Sequence, residues 1–276
     1  MKSRAIVRES ALYVFLVLTV VVVSLPLVWV IGGAFKTESE FLLNPGAWLP
    51  ESFTNFENFV TLFGEKAFAP YMVNSFIVAG VAVVANILFG SMAGFALAKY
   101  SFPGRQAVFV MAIVAMTIPS VALFVPQFLV IVQLGLVNSL AGIVAPILAM
   151  PISVFIMRQY SYSVPDEVLE AARMDGASEG RVFLQVYLPL VGPAIATVAI
   201  MTFLYAWNIF LWPLVVAQSS DVYTAPVGLA IASQAPNRTD YGVLLAGALV
   251  VLLPVFVLFL FLQRYFIRGA ATTGLK

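Results

Sequence analysis

The stretch EAARMDGASEGRVFLQVYLP runs from Glu170 to Pro189 and carries five charges in its first twelve residues. It is flanked by two long segments without any charged residue, 106–157 before it and 182–220 overlapping its end. Glycine readily adopts the left-handed conformation that ends helices, so the stretch predicts a short polar helix ending at Gly176. The chain then returns to apolar sequence, which indicates a loop on one side of a membrane.

The predicted helix has start signals upstream. Ser163 with Asp166 resembles a capping box, and Pro165 falls in the first turn. Ser178 is a candidate cap for a second helix that follows the glycine turn. The apolar side of the first helix is expected to consist of Val168, Leu169, Ala172 and Met174. Ala171 and Ala172 leave room for another surface to come close, so the shape fits a cytoplasmic docking element; the alternative is a surface helix that only ties two spans together.

The composition is that of a membrane protein. Of 276 residues, 62% are apolar and 10% are charged, whereas a typical globular domain is about 25% charged. The chain has no Cys and no His, so disulfides, thiol chemistry and histidine catalysis are excluded. A net charge of +1 gives no reason to expect nucleic acid as a partner.

Five charge-free stretches predict the spans, because a helix needs about 20 apolar residues to cross a bilayer. One stretch of 52 residues is long enough for two spans, with a turn expected at GLVNS, 135–139. The prediction is a single all-α integral membrane domain, 1–276, with six transmembrane helices. The spans are expected at 11–34, 71–98, 107–132, 140–160, 189–213 and 241–263, and the loop with the polar helix at 161–186.

The distribution of Lys and Arg predicts the orientation. Eleven of these residues lie in the two termini and the second and fourth loops, against three in the other loops. Positive charge favours the cytoplasmic side, so both termini and the 161–186 loop are expected there. A cleaved signal peptide is an alternative interpretation of the first apolar segment, but 11–31 is longer than a usual signal core.

The predicted spans lack the groups that drive uphill transport. No acid, base or histidine lies in the charge-free stretches, although such residues usually mark proton relays and ion-coupled pumps. The chain also has no G-x-x-x-x-G-K-[ST] phosphate loop. We therefore expect no catalytic residue, no metal ligand and no bound cofactor, with energy supplied by another chain.

Uncharged polar residues in or beside the spans are the candidates for a solute path. The set comprises Asn74, Gln127, Tyr205, Asn208 and Gln218. Amides, hydroxyls and aromatic rings suit a neutral polyhydroxy solute better than a phosphate or a metal ion. The alternative is that these groups only hydrogen-bond neighbouring helices.

The opening stretch resembles the EAA motif of ABC-importer permeases. Glu170-Ala171-Ala172, then Gly176, then Val186-x-Leu188-Pro189 matches E-A-A-x3-G-x9-I-x-L-P, with Val where Ile is common. Further pieces resemble the maltose-type carbohydrate branch: AKYSFPGR (98–105), Ile118-Pro119 with Pro126, AWNIFLWPL (206–214) and the 263–276 ending. Relatives often carry an acid after the Trp-Asn pair, where this chain has Ile209.

The resemblance implies a type I ABC-importer permease bundle in a bacterial or archaeal cell membrane. In that family the EAA helix docks in a cleft of a cytoplasmic ATPase and transmits its movement. The corresponding docking residues here would be Glu170, Ala171, Ala172, Met174, Asp175 and Gly176. The implied partners are a second homologous permease chain, two ATPase subunits that bind ATP and Mg, and an extracytoplasmic sugar-binding protein.

Other functions stay open at this point. The solute could be a glycerol phosphate derivative or a peptide instead of a sugar. A passive channel would not need the EAA stretch, and a membrane enzyme would need catalytic side chains at membrane depth.

Overall fold

The computed structural model describes residues 2–44, 46–235 and 238–273, which are almost entirely helical. The α-helices are α1 Lys2–Ala34, α2 Glu38–Leu43, α3 Glu57–Val60, α4 Phe68–Lys99, α5 Arg105–Thr117, α6 Phe124–Gln133, α7 Leu140–Val144, α8 Pro151–Ser161, α9 Asp166–Met174, α10 Glu179–Arg181, α11 Leu188–Leu190, α12 Gly192–Asn208, α13 Leu211–Val216, α14 Ala225–Ala232 and α15 Tyr241–Thr273. Three 3-10 segments (Ser120–Leu123, Ala145–Ile147, Ser220–Val222) and two π-helical segments (Thr61–Glu65, Val182–Tyr187) join them. A two-residue antiparallel pairing of β1, Gln234–Ala235, with β2, Arg238–Thr239, is a small departure from the all-α prediction.

Three helices of the described residues are long and apolar enough to cross a membrane, at Leu12–Ala34, Phe68–Lys99 and Tyr241–Phe261. Three further candidates are helix pairs bent by 99°, 44° and 79°. These pairs overlap the predicted ranges 107–132, 140–160 and 189–213 and extend beyond them by one to ten residues at one end or both. The described residues therefore hold three to six potential spans by length and composition, and the six-span count stays a prediction.

Proline accounts for the breaks in the bent pairs. The 99° bend falls at Ile118-Pro119, and the 44° bend precedes Pro151, the first residue of α8. The 79° bend falls at Val191, between Pro189 and Pro193. Proline lacks the N–H of the helical ladder and clashes with the preceding turn, so each break lies where the sequence weakens the helix.

The chain divides into two compact units. The first comprises 1–69 and 228–254. Its polar centre is Asn58, whose buried amide donates to the carbonyls of Ala34 at 2.9 Å and Lys36 at 2.8 Å. The most apolar part of α1 is not buried within the protein at all. A helix that is apolar all round needs lipid or another chain as its surroundings.

The second unit comprises 70–227 and 255–276 and contains both candidate sites. Its framework is the close packing of α4 against α8 at Gly90 and Gly94. A Cβ atom on Gly94 would lie 2.6 Å from the Cβ of Met157 and 2.7 Å from the backbone N of Arg158. A small residue every fourth position allows such close approach of membrane helices. The guanidinium of Arg158 then lies over the ring of Phe109, 3.6 Å from its centroid.

Candidate functional site at the EAA helix and an uncharged cavity

The EAA helix, α9, is built on one buried face. Leu169 is 1% exposed and belongs to a core cluster with Phe95, Met157 and Tyr187, against which Ala172 also packs. Within this cluster, the Tyr187 hydroxyl forms a hydrogen bond of 2.6 Å with the hydroxyl of Ser161. The helix therefore rests on residues from α4, α8 and the π-helical segment that follows it.

The opposite face of α9 is open. Glu170, Ala171, Asp175 and Gly176 are exposed, and the side chain of Met174 is 88% exposed. Of the predicted apolar side, Leu169 and Ala172 pack into the core, whereas Val168 is 42% exposed. A helical turn of 3.6 residues places Leu169 and Ala172 inward and Met174 outward. An exposed methionine beside small residues is typical of a contact surface for another protein.

Gly176 ends the helix as predicted. Its φ of 80° is in the left-handed region. The N–H of Gly176 donates to the carbonyl of Arg173, and the N–H of Ala177 donates to the carbonyl of Ala172, both at 3.0 Å. This pair of hydrogen bonds is the Schellman motif. The direction in which the chain leaves α9 is thus set by one residue that tolerates this backbone.

The start of α9 differs from the prediction. The helix begins at Asp166 with Pro165 at the N-cap, and no side chain caps it. The Ser163 hydroxyl instead donates to the carbonyl of Tyr160 at 2.7 Å. Serine can bond a carbonyl three residues back as readily as a helix N–H. Ser178 does occupy the N-cap of α10, but its side chain makes no capping hydrogen bond.

A salt bridge spans the glycine turn. The Arg173 Nε donates to Glu179 Oε1 at 2.7 Å, and the Tyr100 hydroxyl bonds the same carboxylate. These two hydrogen bonds lower the pKa of Glu179 to about 2, with the Arg173 bond the larger cause. The Glu179 carboxylate also raises the pKa of Arg173. The pKa of Tyr100 is raised mainly by burial and next by its hydrogen bond to Glu179. Sequence reasoning missed the Tyr100 bond because Tyr100 and Glu179 lie 79 residues apart in the chain.

A second feature of this unit is a cavity of about 520 Å³. It lies along the bends of two helix pairs and the end of α12. None of its lining residues that the structure describes is charged. They are Ala115, Met116, Ile118, Ser120, Val121, Leu123, Phe124, Gln127, Pro146, Ile147, Met150, Pro151, Ile152, Tyr205, Ile209, Phe210, Leu211 and Trp212. Ligand sites typically measure about 300–1,000 Å³ and combine an apolar wall with a few polar groups.

The structure brings only some of the predicted path residues together. Gln127 and Tyr205 line the cavity, and Asn208 directly precedes the lining residue Ile209. The amide of Asn208 donates to the carbonyl of Leu204 at 2.7 Å. Asn74 and Gln218 are not among the lining residues that the structure describes.

Both of the remaining predicted residues take part in loop contacts. The buried amide of Asn74 donates to the carbonyls of Asp221 at 2.8 Å and Tyr223 at 3.0 Å. Gln218 donates its backbone N–H to Asn138 Oδ1 at 2.9 Å. For Asn74, this hydrogen bonding is the alternative that the sequence left open.

Asn86 supports the cavity wall from behind. Fully buried, it donates to the carbonyl of Ile147 at 2.7 Å and accepts from the N–H of Met150 at 2.7 Å and the hydroxyl of Ser153 at 2.9 Å. Two of these partners line the cavity. An amide in the middle of an apolar span is costly without partners, and that was the signal in the sequence.

A family model described as binding-protein-dependent transport system inner membrane component matches residues 86–271, which include both sites. The chain belongs to this family. The resemblance that the EAA stretch indicated is therefore confirmed. Members of the family are membrane components of transport systems, so the chain is a transport subunit and not an enzyme.

Individual relatives match most of the chain. The arabinooligosaccharides transport system permease protein AraQ of Halalkalibacterium halodurans is 39% identical over 254 residues, covering 91% of this chain and 90% of the relative. The sn-glycerol-3-phosphate transport system permease protein UgpE of Salmonella typhi is 35% identical over 199 residues, covering 72% and 71%. A solved bacterial ABC transporter involved in import of the acidic polysaccharide alginate has the same fold, with a TM-score of 0.84, 22% identity and coverage of 94% and 96%.

Proposed function

We propose that the chain is the membrane-spanning permease subunit of an ATP-driven importer for a sugar or oligosaccharide. Six spans with both termini in the cytoplasm would form the translocation unit. Access would alternate when an ATPase subunit moves the EAA helix. The observation that carries the proposal is the outer face of α9, which is exposed and ends in a rigid glycine turn.

The EAA helix has the properties that a docking element requires. Its inner face is anchored through Leu169 in the core cluster, while Met174 projects freely. The exposed face has a small side chain at Ala171 and an apolar one at Met174, so it can enter a cleft of another protein. An anchored helix passes a push from that protein to the spans beneath it, whereas a loosely attached helix would absorb it.

The partners follow from this assignment. The proposed assembly contains a second homologous permease chain, two ATPase subunits that hold ATP and Mg, and an extracytoplasmic solute-binding protein. The most apolar part of α1, which the described residues leave unburied, would face lipid or the second permease. The proposed location is the cell membrane of a bacterium or archaeon.

The ATPase contact is tested by reversing one exposed charge. We expect Glu170→Arg to reduce the ATPase recovered with the tagged chain at least tenfold, because an interface charge pair that becomes repulsive costs a few kcal/mol and every 1.4 kcal/mol is a factor of about ten. The measurement is a pull-down from membranes in mild detergent, followed by an ATPase assay. Glu9→Arg, which reverses an exposed carboxylate on α1, is the matched control. Equal recovery with all three proteins, or none with the wild type, would contradict the proposal.

The cavity supports a neutral solute. A buried phosphate or carboxylate needs a charged partner or a dense set of donors, and the described lining residues offer no cation. Instead, the rings of Phe124 and Trp212 pack edge to face at 5.5 Å, and both residues line the cavity together with Gln127. Trp212 already donates its indole N–H to the carbonyl of Gly142. Aromatic faces with a few hydrogen-bonding groups suit the C–H faces and hydroxyls of a saccharide.

The solute path is tested at Gln127. We expect Gln127→Leu to lower uptake of labelled arabinotriose about fivefold to thirtyfold, because losing one or two hydrogen bonds to a solute costs about 1 kcal/mol each. Gln133→Leu makes the same change on the same helix, at a residue that does not line the cavity. Cells carrying the whole transport system and a labelled neutral sugar provide the assay.

The same assay separates the two solute classes. Uptake of labelled sn-glycerol-3-phosphate that competes fully with arabinotriose would contradict the neutral-solute proposal and favour the alternative. Equal uptake by the Gln127→Leu and Gln133→Leu variants would exclude the cavity from the path.

A further inference from the structure

The last residue of α4 is bonded to the first turn of the EAA helix. Lys99 donates from Nζ to the carbonyl of Val164 and to Asp166 Oδ1, both at 2.6 Å. The Lys99 side chain is only 6% exposed, whereas that of Asp166 is 70% exposed. A lysine that is covered in this way loses rotational freedom and keeps one position. Its two bonds hold the start of α9 at the end of α4.

Tyr100, the residue after Lys99, forms a hydrogen bond just beyond the C-terminal end of the EAA helix. The Tyr100 hydroxyl bonds the Glu179 carboxylate, which also receives Arg173 Nε at 2.7 Å and Nη2 at 3.2 Å. Arg173 lies in the last turn of α9 and Glu179 in α10. The tyrosine is itself held from behind, because Arg105 Nη1 donates to its carbonyl at 3.0 Å.

A cluster of tilted and edge-to-face aromatic rings adjoins these polar contacts through Tyr100. The Phe95 ring of α4 lies 4.4 Å from that of Tyr187 and 5.5 Å from those of Phe183 and Tyr100, centroid to centroid. Buried ring pairs of this kind contribute about 0.5–1.5 kcal/mol beyond their buried area. The end of α4 thus shares a packed core with the segment that follows the EAA helix.

We infer that Lys99 and Tyr100 are positioning residues that fix the EAA helix to α4 at two points, so that the two helices move as one body. Nine residues of α-helix are about 13 Å long, and the two contacts lie at opposite ends of that length. A helix bonded at one point can pivot about it, but two separated bonds remove that freedom. This inference rests on the proposed coupling function of α9 and assigns α4 as the span that receives its movement.

The consequence is mechanical. Movement of packed elements as rigid bodies is a common form of switching, because packed cores do not deform continuously. If the EAA helix pivoted on its own, ATP-driven closure would be spent on local rotation. Lys99 bonds the first residue of α9 directly, and Tyr100 is linked to its last turn through the Glu179 carboxylate that bonds Arg173, so the displacement passes to the whole of α4.

Spin labels test the attachment directly. The chain has no native cysteine, so Val84→Cys on α4 and Glu167→Cys on α9, both exposed, provide specific label sites. Pulsed dipolar distances are measured in the purified assembly with and without ATP. We expect a narrow distribution that ATP does not shift, and a broadened distribution in Lys99→Met/Tyr100→Phe. Tyr160→Phe, the same chemical change at the end of α8, is expected to leave the distribution narrow.

Transport provides the functional readout. We expect solute moved per ATP hydrolysed to fall about threefold to tenfold in the double variant, with the ATPase still bound. Lys99→Arg keeps the charge, so we expect it to keep most of the wild-type transport ratio. If the double variant only impaired folding, the amount of folded protein would fall instead. The labelled probe is arabinotriose in proteoliposomes with the co-purified partners.

The outcomes separate this inference from the proposed function. If no ATPase is recovered with the wild type, the proposed function fails, and the spin-label widths of the isolated chain still test the attachment. If ATPase is recovered but the double variant keeps the narrow distribution and the wild-type transport ratio, the positioning role of Lys99 and Tyr100 is overturned.

Discussion

Gly176→Val is expected to abolish recovery of the ATPase with this chain. The residue has a φ of 80°, and left-handed backbone costs about 1–2 kcal/mol for an ordinary residue and more for a β-branched one. Relaxing that strain means breaking the two Schellman hydrogen bonds to Arg173 and Ala172. The exposed face of α9 would then lose its fixed end. The measurement is the pull-down and ATPase assay used for Glu170.

Gly180→Val is the matched control, because the two glycines differ in little but backbone conformation. A Cβ on either one meets no atom within 4 Å. Gly180 lies in α10, where valine is favoured over glycine by a few tenths of a kcal/mol. We expect Gly180→Val to bind ATPase as the wild type does. Equal recovery with both variants would show that the left-handed turn is not needed for docking.

Gly94→Ala is expected to destabilise the protein by about 1–3 kcal/mol, the usual effect of forcing extra volume into a packed contact. The added methyl group would lie 2.6 Å from the Cβ of Met157 and 2.7 Å from the backbone N of Arg158. A backbone atom cannot swing away as the end of a long side chain can. α4 and α8 would therefore have to separate, and Met157 would shift within the core cluster under α9.

Thermal stability in detergent, followed as the loss of monodisperse protein, measures this effect. Gly80→Ala is the control on the same helix, since its Cβ would meet no atom within 4 Å. Alanine favours helix over glycine by about 1 kcal/mol, so Gly80→Ala should be neutral or slightly stabilising. A Gly94→Ala protein as stable as the wild type would show that the helices separate at little cost.

Gly176 lies in a turn that depends on neighbouring residues, whereas Gly94 lies in a contact between two helices. A sequence predicts the first kind of feature more readily than the second. The turn at Gly176 and the one at 135–139 depend on residues next to each other in the chain. In the second turn Gly135 and Asn138 have φ values of 68° and 55°. Glycine and, less often, asparagine adopt this backbone most readily. Such positions are legible in the sequence because the physics that sets them is local.

Side-chain partners were less predictable even within the EAA loop. Ser163 lies where a helix cap belongs, yet it bonds the carbonyl of Tyr160. Met174 has an apolar side chain, yet it is exposed because the helix turns Leu169 inward. In both cases two local options are close in energy, and the packing of the surrounding helices selects one of them.

The sequence by itself determined the membrane class, the apolar segments, the proline-weakened positions, the glycine turns and, through the EAA motif, the family. These depend on residue type and short-range spacing, and each residue carries its own share of the information. Only the tertiary structure decided that Gln127 and Tyr205 share a cavity while Asn74 does not line it, and that Lys99 and Tyr100 meet Asp166 and Glu179. Those pairs lie 67 and 79 residues apart, and contact over such a distance results from how the helices pack, which no single segment encodes.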